Sequence, residues 1–506
     1  MKELQKQISI GNEVADTDRK SDYEKRCFLA ENMAQCIDSI WARSATKEGR
    51  DLAEKGLQLL LDYSMQYLRG EEDAAKAVNE GACNSEQAKS LCKADWLYNL
   101  SRPLTEQCGI DPGHAMFLLL PPVYQMIAKK QRDKKDSLAG LVHKLEQMIY
   151  PSAVSSQDIK KQLDFIYRVL GLEVPEFIGE EAIRAIVDEI HREGVAGAPC
   201  VLSADDLYEI YIQAFCMEKD ENGYLKETES YREMRDRQHF VKGLQELTLE
   251  TLLLTQKFLD EHKLTFFLGE GTMLGAVRHH GFIPWDDDVD ILMPRDDYER
   301  LVKLAEEGKI PPELNFDALE NNDKHWVLGA KMQLVRETNY IQEKVIPLSK
   351  CHGPYVDIFP LDYWPKENSI GQRLADLNVK LCRRLLFMKT GYSKGTNKSL
   401  IRMMLRVFIL FVTNRQIENH AMRNMKKYRQ KEHNYMVNLC SYYPYYKQVF
   451  PKECYQESIW IPFEGYKMPI PKEYDRILKK IYGKKYDSIP PYTVTAMRQH
   501  AFTLKK

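Results

Sequence analysis

Asp286, Asp287, Asp288 and Asp290 fall within five consecutive positions of the segment Gly281–Pro294, flanked by apolar residues. Carboxylates at that density repel one another unless a positive charge sits between them. Hard divalent cations such as Mg2+ are held by carboxylate and phosphate oxygens together, so the cluster points to metal-assisted phosphoryl-transfer chemistry. In a strand, residues two apart share a face. The run from Asp288 to Met293 therefore predicts Asp288 and Asp290 pointing into one cleft, with Val289 and Leu292 free to face a core. Asp286 continues the alternation as a helper ligand but follows Pro284 and Trp285, so it could still belong to the turn. Asp287 is expected to face away. The bland alternative is a calcium-binding or solvated acidic loop; against it, the acidic run leads directly into an apolar strand.

A metal site of this kind usually takes a further carboxylate from another strand. Asp357 is the obvious supplier, a lone acid within the strand-like Tyr355–Phe359. A buried lone Asp needs a partner or a metal. Asp362 is expected to cap a turn. The stretch from Ala330 to Thr338 reads as another strand, and Lys331 and Arg336 on it are candidates either to neutralise phosphate or to sit at the surface. Gly271 to Gly275 follow a short β-rich run, Leu264–Leu268. The glycines would let backbone approach a ligand, and amides at a following helix start can bind phosphate.

The elements that must position these groups begin upstream. Residues 1 to about 235 read as helices, among them Tyr23–Arg43, Gly49–Arg69, Ser137–Ile149 and Asp158–Leu172, each with apolar residues at three- and four-residue spacing. Pro103, Pro112-Gly113, Pro121-Pro122, Pro151, Pro175 and the Gly194–Pro199 stretch are expected to separate them. Asp111 to His114 reads as a turn with an exposed histidine. The polar run from Glu218 to Arg237 reads as a loop or linker at a domain boundary. An amphipathic helix from Leu244 should end near His262. Helix, strand, glycine turn and a carboxylate-bearing strand make an α/β or α+β active-site layout. With 506 residues, two or three domains are expected. A net charge of −2 argues against non-specific nucleic-acid binding. Eleven cysteines without a CxxC pair suggest reduced thiols in a cytoplasm rather than disulfides or a zinc ribbon. No run reaches the roughly 18 apolar residues of a membrane span, and the first residues lack a secretory apolar core.

The segment from Phe267 to Tyr298 closely resembles the signature of the LicD family, which includes fukutin-like proteins. The likeness continues through Tyr355–Asp362 and returns at Phe463–Gly465, Pro469–Tyr474, Ile481–Gly483 and Pro490-Pro491, covering roughly residues 244 to 500. The resemblance implies an α+β, nucleotidyltransferase-like mixed sheet with flanking helices over residues 240–506; the helical periodicity upstream makes 1–235 an all-α domain, to which the resemblance does not extend. It implies transfer of a phospho-alcohol such as phosphocholine from a CDP-linked donor, with Mg2+ or Mn2+, to a sugar hydroxyl of a cell-surface glycan. Carried onto this chain, Asp288, Asp290 and Asp357 would hold the metal, with Asp286 as helper and Asp357 as base. Gly271 and Thr272 would hold donor phosphate. Arg278 would contact the diphosphate or orient the acidic loop. Trp285 would be a wall for choline or nucleotide, or a packing residue in its turn. Arg295 and Asp297 are expected to pair at the next helix start.

Two other readings remain: a true nucleotidyltransferase acting on a small acceptor, and a non-catalytic interaction protein. Between Gly371 and Lys431, fifteen Lys and Arg face only Asp376 and Glu418. Within that stretch, Ile401–Val412 is too short and too charged to span a bilayer. It suits either a membrane-surface element on the inner face of the cell membrane, where a lipid-linked glycan would be found, or a buried helix with a solvated basic face.

Overall fold

A computed structural model of the chain describes residues 2–131, 137–150, 156–194, 197–318, 320–322, 325, 327–336, 338, 340–342, 353–366, 369–389, 411–429, 433–491 and 502–504. The polypeptide divides into two compact units, Met1–Arg235 with Asp487–Val494, and Asp236–Tyr486 with Thr495–Lys506. The return of the chain to the first unit at Asp487 leaves no mark in the sequence pattern. It is secured by a two-pronged contact of the Arg69 guanidinium on the Asp487 carboxylate, at 2.7 Å for the longer arm.

The first unit is helical: α1 (Lys2–Trp41), α2 (Lys47–Leu68), α3 (Glu72–Cys92), α4 (Trp96–Cys108), α5 (Pro112–Gln131), α6 (Ser137–Ile149), α7 (Ser156–Val169), α8 (Glu180–Glu193) and α9 (Ala204–Ala214). Caps set several of the starts. The Thr46 hydroxyl accepts from Gly49 N at 3.0 Å before α2, and Ser203 and Asp206 form a reciprocal capping box at α9. Three expectations need correcting here. Pro103 lies inside α4, and Pro121 and Pro122 lie inside α5, so these prolines do not end helices. An interior proline costs about 3 kcal/mol. Burial of Phe117, Leu119, Leu120, Val123 and Tyr124 along α5 offsets it. His114 is not exposed: its ring is buried between the Tyr23 hydroxyl (2.9 Å) and the Tyr167 hydroxyl (2.6 Å), and burial lowers its pKa. The polar run after α9 is not a plain linker either. It forms the hairpin β1 (Met217–Lys219) and β2 (Leu225–Glu227), its turn stitched by Asp220 accepting from the amides of Asn222 and Tyr224, and then enters α10 (Glu229–Glu261).

The second unit is built on a mixed sheet of β3 (Phe267–Leu268), β4 (Asp290–Pro294), β5 (Leu314–Asp317), β6 (Ala330–Leu334), β8 (Tyr355–Trp364), β9 (Tyr435–Val437) and β10 (Val449–Pro451), with β7 (Tyr340–Gln342) outside it. The ten-residue strand β8 is its centre. One edge of β8 pairs in parallel with β4, which continues antiparallel to β3. The other edge is shared: β6, backed by β5, pairs with the first half of β8, and β9, backed by β10, with the second half. Helices α11 (Glu270–His279), α12 (Arg295–Glu306) and α13 (Ile370–Lys389) complete the unit with α10 and a helix at Asn414–Met425. Among the described residues all cysteines are free, and no helix is long and apolar enough to cross a membrane. Residues 390–410, which hold most of the Ile401–Val412 element, lie outside the described residues.

The pairing expected at the start of α12 is different in the structure. Arg295 does not bond Asp297; it makes two 2.7 Å hydrogen bonds to the carboxylate of Asp362, and both side chains are almost wholly buried. Burial alone would discharge the guanidinium, but the Asp362 carboxylate holds its pKa above the ordinary arginine value. Asp362 is thus a strand residue with a charge partner rather than a turn cap. Asp297 bonds Arg300 at 2.7 Å and accepts from Thr265 N at 3.2 Å.

Arg295→Met leaves a buried carboxylate uncompensated and should cost about 3–5 kcal/mol in urea unfolding, with Arg295→Met/Asp362→Leu recovering most of it. Glu418, buried with neither carboxyl oxygen hydrogen-bonded among the described residues, gives a second expectation. Burial, and then Glu320, raises its pKa from 4.5 to about 9. The folded chain therefore holds this proton more tightly than the unfolded one, a contribution complete below the unfolded pKa and lost as pH rises through the folded value. Thermal melts between pH about 6 and about 9 should show wild-type stability falling, and Glu418→Gln should flatten that fall.

Candidate active site

The acidic segment is held from three sides. The Gln245 side chain of α10 donates to the carbonyl of Asp286 at 2.6 Å. The hairpin of β11 (Ser458–Phe463) and β12 (Tyr466–Pro471) presents Glu464, whose carboxylate accepts from Phe282 N at 2.9 Å and whose amide donates to the His280 carbonyl at 2.8 Å. Gly281 has no room for a side chain there, since a Cβ would stand 2.1 Å from that carboxylate. Finally, the Thr272 hydroxyl, buried at the start of α11, accepts from Asp290 N at 2.9 Å.

Strand register then gathers the acids. In the parallel pair Asp290 stands opposite Asp357, and in the antiparallel pair Lys331 stands opposite Asp357 from the other side. The Asp357 amide also donates to the Val289 carbonyl at 2.8 Å, which extends the ladder back to the residue beside Asp288. As a result, carboxylate oxygens of Asp288, Asp290 and Asp357 lie within 4.8 Å of one another, each residue part-exposed. Burial, then the charges of Asp288, Asp357, Glu270 and Asp286, hold the Asp290 carboxyl well above its ordinary value. Lys331 Nζ donates to Asp357 Oδ1 at 2.6 Å and sits 3.3 Å above the Tyr355 ring centroid. One lysine does not balance three acids, so the group keeps an excess of carboxyl groups over cations. Mg2+–oxygen bonds of about 2.1 Å allow ligand oxygens up to about 4.2 Å apart, so a common divalent cation suits these residues after small side-chain adjustments.

The other candidates are distributed differently. Asp286 lies outside the three-residue group; its Oδ2 would be 3.0 Å from a Cβ on Gly271, so this glycine makes room for the acidic loop. Asp287 is also outside the group but is buried, not turned to solvent. Lys331 is buried at the cluster rather than on the surface. Arg336 lies beyond the end of β6, exposed, its guanidinium held by Glu250 at 2.8 Å in both arms. Arg278 is buried and donates to the Tyr486 carbonyl at 3.1 Å. Trp285 packs edge-on against His279, with ring centroids 6.3 Å apart, and leans on the unit's core.

Sequence reasoning missed Glu270. It is the first residue of α11, has φ of 44° and is buried. Strained non-glycine backbone of this kind gathers at functional sites. Burial raises its pKa to about 7, opposed by bonds from Asn438, Ser441 and Gln448. Asn438 Nδ2 reaches Glu270 at 2.8 Å, and Gln448 Nε2 bonds both Glu270 (3.2 Å) and the Ser441 hydroxyl (2.9 Å). This network fixes the loop that leaves β9 and heads back along β8 towards Asp357. In the same loop, Arg383 of α13 donates to the carbonyls of Cys440 (3.1 Å) and Ser441 (2.7 Å) and stacks on the exposed Tyr442 ring at 4.6 Å. Tyr442 is within electrostatic range of Asp357, Asp290 and Asp288. The tyrosine-rich run Tyr442–Tyr446 was the available sequence signal.

A family profile described as "LicD/FKTN/FKRP, nucleotidyltransferase domain" matches residues 263–381, which include Glu270, the acidic segment, Lys331 and Asp357. The lipopolysaccharide cholinephosphotransferase LicD of Haemophilus influenzae is 27% identical over 234 residues, 46% of this chain and 85% of that protein. An uncharacterized protein of Rickettsia prowazekii is 37% identical over 65 residues, 13% of this chain and 24% of that protein. Among solved structures, an iron-containing alcohol dehydrogenase of Thermotoga maritima superposes with a TM-score of 0.34 at 17% identity, covering 38% of this chain and half of that one, too loosely to assign a fold. Through residues 263–381, the chain is similar to the nucleotidyltransferase domain of the LicD/FKTN/FKRP family.

Proposed function

We propose that the second unit is a metal-dependent transferase with a nucleotidyltransferase-like fold. It moves a phospho-alcohol, with phosphocholine as the first choice, from a CDP-linked donor to a sugar hydroxyl of a surface glycan or its lipid-linked precursor. The observation that carries this reading is the convergence of Asp288, Asp290 and Asp357 within 4.8 Å, inside the family-matched segment. Phosphoryl transfer depends on neutralising charge on the transferred group and on in-line placement of the acceptor. Asp288, Asp290 and Asp357 would hold Mg2+ or Mn2+, which supplies charge neutralisation for the donor diphosphate. Lys331 adds a fixed positive charge on Asp357, and the stiff Thr272–Asp290 bond keeps the acids from spreading apart. The acceptor oxygen bonds to the phosphorus that bears the alcohol; the bond from that phosphorus to the bridging oxygen breaks; CMP leaves with that oxygen. The hydroxyl proton passes to Asp357.

The relative's printed activity supports choline as the alcohol and a lipopolysaccharide sugar as the acceptor class. The family description, which names a nucleotidyltransferase domain, favours a second reading in which the nucleotide phosphorus is attacked. Product identity separates the two: CMP for the first, a phospho-alcohol released from the donor for the second.

With CDP-choline, Mg2+ and a glycan-acceptor extract, wild type should release CMP. Asp288→Asn should lower the rate roughly 100-fold or more, as expected for losing several kcal/mol of charge stabilisation. If no CDP-linked donor yields CMP with acceptor present, the first reading fails. Lys331→Met removes a cation beside the metal position. At about 5 Å even a water-like dielectric leaves about 1.7 kcal/mol between a unit charge and a divalent ion, so this should tighten Mg2+ binding at least about tenfold in calorimetry while slowing transfer. Unchanged affinity would place the ion away from Asp357.

A further inference from the structure

Helix α13 presents two opposed faces. Ala375, Val379, Cys382 and Leu386 are buried in a cluster shared with Ile417, Ala421 and Met425 of the helix Asn414–Met425. With about 100° of turn per residue, Ile370, Leu374, Leu377 and Leu381 fall in one stripe on the opposite side. Their side chains are 78, 53, 60 and 43% exposed. A surface helix ordinarily carries polar residues there, and a continuous aliphatic row of about 16 Å marks an interaction site. Arg373, Lys380 and Arg384 lie together along one side of the stripe. The single acid of α13, Asp376, is buried and bonded to Lys380 at 2.7 Å, so no carboxylate faces outward.

We propose that α13 docks lengthwise on an anionic lipid surface, its aliphatic stripe in the headgroup boundary and its arginines against lipid phosphates. Charge complementarity selects this occupant. The stretch Gly371–Lys431 holds fifteen basic residues against two acids. A second copy seated on the stripe would bring like charges together. So would the chain's own residues 390–410, which carry Lys394, Lys398, Arg402 and Arg406 and no acid. An anionic leaflet attracts each basic residue near its surface by about 1 kcal/mol. The inner side of α13 also holds Arg383 against the Cys440–Tyr442 loop, so docking would bring the acidic site close to the lipid plane.

Flotation of the full chain with vesicles tests this. Vesicles of equimolar phosphatidylglycerol and phosphatidylcholine should carry the wild type upward, and phosphatidylcholine alone should not. Leu374→Glu/Leu377→Glu, at positions already open to solvent, should keep its circular dichroism and melting temperature yet float at least about tenfold less. Arg384→Gln should weaken flotation and make what remains less sensitive to salt. Wild type left in the soluble fraction with phosphatidylglycerol vesicles overturns the proposal. Equal flotation of the double glutamate variant does so too, because another face then binds. A dimer in light scattering that the double variant converts to monomer, without flotation of wild type, assigns the stripe to a second copy instead. The readout is lipid binding alone, so it stands apart from the transfer chemistry.

Discussion

Like charges held close together push apart, and the second unit is organised around resisting that push at Asp288, Asp290 and Asp357. The restraint is mostly backbone. Asp290 and Asp357 are paired across β4 and β8 by register, and their separation is set by the spacing of adjacent strands, not by side-chain choice. The bond from Asp290 N to Thr272, the Gln245 contact with the acidic loop and the Glu464 clasp on Phe282 each remove a direction in which the acids could retreat. Lys331 lessens the repulsion without cancelling it. A site with residual negative charge and little freedom to relax is pre-organised for a cation, because the reorganisation cost is met in folding.

The same central strand carries two acids with opposite fates. Asp357, near the start of β8, is part-exposed at the cluster; Asp362, five residues on, is buried against Arg295. An odd offset along a strand puts the two on opposite faces. The Arg295 pair ties the first residue of α12 to β8, and α12 follows β4 directly, so the parallel pairing that aligns Asp290 with Asp357 is locked at its far end by a two-pronged ion pair. Bidentate geometry fixes orientation as well as distance.

Much of this was legible in the sequence because the relevant signals are local. Alternation around Asp288 and Asp290 and the lone acid in Tyr355–Phe359 placed the acids on neighbouring strands, although Asp288 precedes β4 rather than lying within it. What local signals could not supply is partners distant in sequence. Nothing near Arg336 announces Glu250, and nothing near Arg278 announces the Tyr486 carbonyl. Arg295 was matched to Asp297, two residues on, when the buried partner lay 67 residues away. Pro103, Pro121 and Pro122 were read by local propensity, which core burial overrode. Glu270, between two glycines, looked like turn chemistry; its partners Asn438 and Gln448 come from the far end of the unit.

The Glu270 network also bears on how the unit comes to be folded. Its bond to Gln448 closes a loop of 178 residues, and its bond to Asn438 closes one of 168. Closing loops of such span costs chain entropy before the contact repays it, and domains rich in such contacts fold slowly. The loop bearing Tyr442 is delivered beside the aspartates by β9, whose pairing with β8 sets where the loop begins. A nascent chain that has emerged only as far as α13 would hold the three acids without the wall that faces them. Completion of the cleft thus depends on chain that follows the acids by more than 80 residues in sequence, as Asp357 and Tyr442 show.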